Sequence, residues 1–570
     1  DHSRKGSSMS FLNELTGIIN SGQSRCVVLT GNIYDLFFDG EDYVPLMSYL
    51  SKKYSSLPNA ETSTKGITQV IYELNNAISV CGDDDQKEDL NRTWSKVSGS
   101  QKGLEDRLAE SGKNSTYALQ LLHKICECSR LNNRNAANNL LVMIEAADML
   151  LPEEQISRMS LNDRKRVAIV KDWFSEPEFM DGPDSVILLS ESRSGIHSRI
   201  SRMPQVLSVE IPLPDITERT HFVTNFGSDH GMTFTAGAVA VQTAGLSIHA
   251  IRQLMLSGDL SPDNIASKVE EYMISQLGEG VIEFKRPSHS LEDCIGNTKV
   301  KTFLKEELIP GFQDGTIAGA AVGGPIGGGK TFICEAAAAE VGCPVVLLKS
   351  IRSKWFGETD AIFERLYRLL KTFNQIMIFV DEADAQFGDI DGGHATERRL
   401  TGKIQAMMSD PKLLGKVIWF LMTARIHRLS ADIRRPGRMD IIIPILDPKD
   451  QDRIDFITWT FKDFKIARSS SDPQCEKDFK KAEKATEGYS AAAFAVLKRR
   501  IKRCSTIDEA IKIADDMVLP DIQEVREYQT LQAKLNCTRK SLVFDDTEGF
   551  NKKRSEWKKK IAELEKQGIN

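Results

Sequence analysis

"GGPIGGGKT", residues 323–331, decides how the second half of this chain folds. Gly324 is followed by Pro325, Ile326, Gly327 and Gly328, then by Gly329, Lys330 and Thr331, which is the spacing of a phosphate-binding loop. The apolar "IAGAAV" before it reads as a strand, and "FICEAAAAEV" after it, beginning at Phe332, reads as a helix. The glycines let backbone N–H groups turn inward at a helix N-terminus, where they can meet phosphate oxygens. Lys330 then reaches the β- and γ-phosphates, and the Thr331 hydroxyl serves Mg2+. About fifty residues on, "IMIFVDEAD" (376–384) reads as a buried strand ending in two acids. Asp381 suits the magnesium shell and Glu382 suits polarisation of an attacking water. This half is expected to bind and hydrolyse a nucleoside triphosphate.

The same phrase occurs earlier. "LLVMIEAADML" (140–150) has Glu145 and Ala146 where the later copy has Asp381 and Glu382. Residues 186–224 and 417–458 both run strand, basic segment, strand, a P-x-x-D turn and a helix starting near an Arg. The spacings from Glu145 to Arg219 and from Asp381 to Arg453 are both about seventy residues. "TAGLSIHAIRQL" (243–254) echoes "TEGYSAAAFAVL" (486–497). The matches share one order, the mark of an internal repeat. Yet the first strand, within "RCVVLTGNIYDLFF" (25–38), ends at Gly31 and Asn32 with no lysine-bearing loop. Ala146 also lacks a carboxylate. The first copy is expected to be catalytically dead: a scaffold, a docking surface or a ring stabiliser.

From about residue 290 to 500 the chain resembles the AAA ATPases, motif by motif. "LEDCIGNTKVKTFL" looks like the family's opening segment, which implies that the Ile295–Gly296 backbone faces the adenine. "SKWFGETD" (353–360) is similar to the pore loop of the valosin-containing-protein type, which implies that Trp355 and Phe356 grip an extended polypeptide. "ADIRRPGRMD" (431–440) resembles the arginine-finger segment. On that likeness Arg435 and Arg438 reach into a neighbouring subunit's site, which calls for a homo-oligomeric ring, of six subunits if closed. "ATEGYSAAAF" (485–494) resembles the start of the lid helix, which implies Ala491 and Ala492 near the base. One departure stands out. The family's strand before the fingers usually ends Thr-Asn, whereas here it ends Thr423-Ala424. Ala424 cannot orient a water through its side chain, so Thr423 or Arg425 must take over, or turnover is slow.

The expected fold class is α/β: two P-loop-NTPase-like (AAA+) α/β/α parallel-sheet domains, each with a small helical lid, plus a helical C-terminal tail. The expected division is 1–8 as a remnant ahead of Met9, 9–224 as the degenerate domain and 225–280 as its lid. Residues 281–446 form the active domain, 447–518 its lid and 519–570 the charged tail. Residues 82–115 read as a polar excursion and 277–296 as a linker. In the tail, Trp557, Ile561 and Leu564 make one apolar helix face.

The 570 residues are 41% hydrophobic and 27% charged, ordinary for a globular chain too long for one core. A net charge of -6 gives no pull toward nucleic acid, and no run of about eighteen apolar residues suggests a membrane span. Ten scattered cysteines without paired C-x-x-C sets argue against zinc and fit a reducing, cytoplasmic setting. The leading expectation is an ATP- and Mg2+-dependent ATPase that remodels or threads an unidentified protein substrate. Its rival is a nucleotide-gated assembly scaffold with slow hydrolysis. A DNA-acting motor lacks both a basic charge and a DNA-binding module.

Overall fold

A computed structural model describes residues 7–55, 67–131, 139–229, 235–349, 359–387, 395–435, 438–468, 472–520, 522–544 and 549–569. The chain divides into two compact units, Asp1–Gln276 with Gly357–Thr372, and Leu277–Phe356 with Phe373–Asn570.

In the first unit the strands are β1 (Cys26–Gly31), a small hairpin of β2 (Leu36–Phe38) and β3 (Tyr43–Pro45), β4 (Thr68–Tyr72), β5 (Ser79–Cys81), β6 (Leu140–Ile144), β7 (Ser185–Leu189) and β8 (Val206–Ile211). Its main sheet has the order β5-β4-β6-β7-β1-β8, and only β5 runs antiparallel. The second unit contains β9 (Ile282–Lys285), β10 (Gly319–Gly323), β11 (Val345–Leu348), β12 (Ile376–Val380), β13 (Val417–Thr423) and β14 (Ile441–Pro444). These form β14-β10-β13-β12-β11-β9, with β9 the one antiparallel edge. Every residue of β6, β7, β12 and β13 is buried. That is why these strands read as unbroken apolar runs: helices cover both faces of a parallel sheet.

The registers let the parallel strands of the two sheets be matched position by position. Leu188 pairs with both Val28 and Ile144, as Leu421 pairs with both Ala321 and Val380. Counting on from there, Gly31 corresponds to Gly324, Glu145 to Asp381, Ser190 to Thr423 and Glu191 to Ala424. A Cβ on Gly31 would lie 2.4 Å from the Ile211 carbonyl oxygen, and one on Gly324 would lie 1.9 Å from that of Ile445. Both glycines are required because a neighbouring strand end crosses at backbone contact distance.

Each unit adds four lid helices: Ile216–Asp229, Ala236–Gln242, Ile248–Ser257 and Pro262–Leu277 in the first, Asp450–Thr460, Pro473–Ala485, Ala491–Ile501 and Ile507–Asp515 in the second. Arg219 donates to the Ala240 carbonyl at 2.9 Å, and Arg453 donates to the Glu483 and Thr486 carbonyls at 2.9 Å. Each guanidinium thus meets the negative, carbonyl-bearing end of the second lid helix. The buried Thr243 and Thr486 hydroxyls both donate to the carbonyl four residues back, at 2.8 Å.

Two expected irregular segments contain ordered elements. Residues 82–115 contain helices Asp84–Val97 and Leu104–Ser111, the first opened by an Asp83–Gln86 capping box and anchored by buried Leu90 and Trp94. Their polar composition hides an i, i+4 apolar stripe. Within 277–296, β9 becomes a sheet edge on β11. The first helix starts at Ser7, ahead of Met9. The tail forms helices Gln523–Asn536 and Phe550–Lys566, where Ile561 and Leu564 bury against Tyr528 and Leu531, with Trp557 half-covered beside them. The neighbour for that apolar face is the chain's own preceding helix. No helix among the described residues is long and apolar enough to cross a membrane, and all ten cysteines are free thiols.

Candidate nucleotide site

The loop after β10 is shaped by two glycines at positive φ, Gly327 at 76° and Gly329 at 92°, which side-chain-bearing residues adopt only with strain. Gly329 caps the helix Lys330–Val341, whose unpaired N-terminal N–H groups and dipole favour an anion. Lys330 Nζ donates to the Gly324 and Pro325 carbonyls, each at 3.0 Å, so the ammonium lies folded along the loop. Burial pulls its pKa below the ordinary lysine range, and the Asp381 carboxylate opposes that pull. A half-buried cation folded along a glycine-rich loop belongs to the donor set a polyphosphate requires.

A cleft of about 980 Å³ brings most of the expected residues together. Ile295, Ile326 to Thr331, Phe332, Asp381, Glu382, Thr423, Ala424, Ala491 and Ala492 all line it. Gly324 and Pro325 lie behind the wall, where their carbonyls hold Lys330. Gly296 is also off the wall. A Cβ there would come within 2.9 Å of the Phe456 ring, so the glycine lets this segment pack closely on the lid. Phe332 stacks on His289, ring centroids 3.8 Å apart and 9° from parallel.

Glu382 stands at the end of β12 with φ 48°, a left-handed turn that lifts its carboxylate into the cleft beside Asp381. The Thr423 hydroxyl donates to Asp384 at 2.5 Å and accepts the Arg425 backbone N–H at 2.8 Å. Its proton is committed to Asp384, so toward the cleft it can only accept.

Neither Arg435 nor Arg438 lines the cleft of its own chain. Arg435 pairs with Asp432 at 3.1 Å with its side chain 71% exposed. Arg438 donates to the Ser409 hydroxyl at 2.6 Å and the Asp432 carbonyl at 3.0 Å. Trp355 and Phe356 lie outside the described residues.

Some cleft residues carry no motif signal. Lys498 sits over the Trp459 ring, 3.9 Å from its centroid, and donates to the Trp459 carbonyl at 2.8 Å. Ala491, Ala495, Lys498 and Lys502 recur at helical spacing and form one face of the lid helix turned to the cleft. The spacing was the available signal, but nothing in the sequence says which face looks inward.

The corresponding place in the first unit is filled from within. Its pocket is only about 190 Å³, lined by Gly31, Tyr34, Asp35, Glu191 and others. Helix Thr359–Thr372, which counts with this unit, directs Arg365 to the Glu191 carboxylate at 2.8 Å and Arg368 to the Glu191 carbonyl at 3.0 Å. Asp35, buried, accepts from the Ile248 and His249 backbone N–H groups at 2.9 and 3.0 Å and from Asn32 at 2.8 Å.

A duplicated parallel α/β unit with lid, one copy keeping the phosphate loop and the acidic strand end, defines a tandem P-loop protein. Comparison with known proteins agrees. Residues 7–212 match the family described as AAA+ chaperone, N-terminal Rossmann-like domain, and residues 321–446 match the ATPase family associated with various cellular activities (AAA). The chain thus carries an AAA+ chaperone-type N-terminal domain followed by an AAA ATPase domain, a tandem AAA-type arrangement. Its sequence is 31% identical to human ATPase family gene 2 protein homolog A over 188 residues, 32% of this chain and 20% of that protein. It is 28% identical to the Saccharomyces cerevisiae ATPase family gene 2 protein, over 51% of this chain and 41% of that one. With the 26S proteasome subunit RPT4 of the same yeast it shares 26% identity, over 37% of this chain and 48% of the subunit. The chain thus spans less than half the length of each of these three relatives.

Proposed function

We propose that the second unit binds ATP and hydrolyses it to ADP and phosphate, and that the chain works as a ring that remodels or threads protein substrates. The observation that carries the reading is the convergence of Lys330, Asp381, Glu382, Ala491 and Ala492 on one cleft around a glycine-built phosphate cradle. Lys330 and the loop N–H groups hold phosphate, and Glu382 takes a proton from the attacking water. Thr331 and Asp381 would hold Mg2+, whose chemistry is to neutralise charge on the phosphate oxygens. Ala491 and Ala492, with Ile295, give the base a small apolar slot. Arg435, exposed, and Arg438, half-buried, both lie outside their own cleft and suit a partner's cleft. Trp355 and Phe356 are the proposed polypeptide grip. The likeness to a proteasome subunit, by its name a member of a larger assembly, supports an oligomer.

The scaffold reading draws on one observation: Ala424 lines the cleft where a water-orienting side chain belongs. Steady-state ATP turnover separates the two. Lys330→Ala should weaken nucleotide binding by roughly tenfold or more, since a charge-assisted hydrogen bond to phosphate is lost. Glu382→Gln should keep binding and slow turnover by roughly 10²–10⁴-fold. If the unaltered protein turns over no faster than Glu382→Gln, the motor reading is wrong and the scaffold stands.

A further inference from the structure

We propose that Arg526, on the helix beyond the lid, is a positioning residue for the nucleotide: it sets the orientation of the phosphate loop from the tail. The proposal rests on the ATP reading of the cleft and adds an element that none of the loop's own residues supplies.

The tail helix Gln523–Asn536 lies against the loop from behind. Gln529, buried, accepts the Ile326 backbone N–H through Oε1 at 3.0 Å. Arg526, also buried, donates one Nη to the Ile326 carbonyl oxygen, and its other Nη pairs with Asp447. Two successive peptide planes of the loop are therefore fixed by side chains two hundred residues away in sequence. The second plane matters most. In a trans peptide the C=O and the next N–H point in opposite directions. Holding the Ile326 carbonyl toward Arg526 turns the Gly327 N–H to the other side, and Gly327 lines the cleft. Gly327 has no side chain to resist rotation of that peptide, so an external clamp helps to keep its N–H aimed at the anion. Asp447 in turn orients the guanidinium, which burial alone would leave underpaired.

The clamp is itself anchored to the rest of the site. The Tyr528 hydroxyl lies 3.5 Å from His427 Nε2, three residues past Ala424. Arg434, the residue before Arg435, donates to Asn536 at 3.1 Å. The Ile442 N–H at the β14 edge donates to Thr538 at 3.0 Å. One helix thus touches the phosphate loop, the chain after β13 and the arginine segment, so movement of any one is felt by the others.

The test compares the full chain with Arg526→Ala, Arg526→Lys and Asp447→Asn, using titration with a fluorescent, slowly hydrolysed ATP analogue and steady-state ATPase kinetics. Arg526→Ala should weaken analogue binding by about tenfold and raise KM for ATP by a similar factor, with kcat within about twofold. Arg526→Lys should recover part of the affinity. Asp447→Asn, which leaves the tail helix untouched, should weaken binding less than Arg526→Ala. An Arg526→Ala protein that melts at lower temperature yet binds the analogue as tightly as the unaltered chain overturns the proposal. So does an equal fall in kcat across all three variants with KM unchanged. If the unaltered chain does not bind the analogue, the ATP reading itself falls and this inference with it.

Discussion

At the residue scale, two backbone angles preserve the history of the molecule. Ala146 has φ 51° and Glu382 has φ 48°, at equivalent positions after equivalent strands. For a residue with a Cβ this conformation costs about 1–2 kcal/mol. In the second unit the cost is offset by a carboxylate delivered to the cleft; in the first unit the turn survives with a methyl group. Asp184 is a second residue whose environment has consequences. It is fully buried, its Oδ1 accepts the Leu140 N–H at 2.9 Å, and its Oδ2 has no hydrogen-bond partner among the described residues. Burial pushes its pKa up to about 7, against the pull of that N–H and of Arg130. The folded state then keeps a proton that the unfolded chain releases above its ordinary value of 3.8. Stability from this group is complete below that value and is lost as pH rises through about 7. The thermal midpoint of the first unit should fall from about pH 5 to about pH 8, and Asp184→Asn should flatten the fall. An unchanged slope in the variant would assign the pH dependence elsewhere.

At the element scale, each unit joins its lid helix to the loop after β1 or β10, by different chemistry. In the second unit the Ala492 N–H donates to the Gly327 carbonyl at 3.0 Å. In the first, the equivalent His249 N–H goes to the Asp35 carboxylate, which also takes the Ile248 N–H. A carboxylate built into the chain does there what a bound anion does at a helix N-terminus. Asp35→Ala should leave the buried Ile248 N–H and the part-buried His249 N–H unpaired and destabilise the first unit by roughly 1–3 kcal/mol. The readouts are a lower thermal midpoint and faster amide exchange over residues 247–257, with ATP affinity of the second unit unchanged. Retained protection there would show that the lid helix does not depend on Asp35. Element identity was legible where the pattern was local: strand runs, the phosphate loop, the repeated Arg and Thr of the lids. The helices in 84–111 show little pattern in the sequence because their three anchoring apolar residues, Leu90, Trp94 and Leu104, are outnumbered by charge.

At the scale of the whole molecule, the site is incomplete within one chain if Arg435 or Arg438 acts on the γ-phosphate. Removing such an arginine is worth roughly 10³-fold or more in turnover. Lys330→Ala and the double variant Arg435→Ala/Arg438→Ala should each be inactive alone. In a random equal mixture, about a quarter of adjacent pairs would unite an intact Lys330 cleft with intact arginines, so about that share of activity should return. Mixtures as inactive as the parents would place the arginines' role inside their own chain. Measuring particle mass with and without a slowly hydrolysed ATP analogue reads the assembly independently.

The amino-acid order alone determined the duplicated α/β plan, the phosphate loop kept in one copy and missing from the other, and the cleft residues from Ile326 to Thr331 with Asp381 and Glu382. Those features are encoded at short range, by strand burial, glycine conformations and fixed spacing along one loop or helix. Only the tertiary structure decided that Arg526 meets Ile326 and that Asp35 meets Ile248, across separations of 200 and 213 residues. Single polar side chains of common type carry no pattern of their own. They acquire meaning when folding removes the water that would otherwise satisfy them, and burial makes their choice of partner energetically decisive.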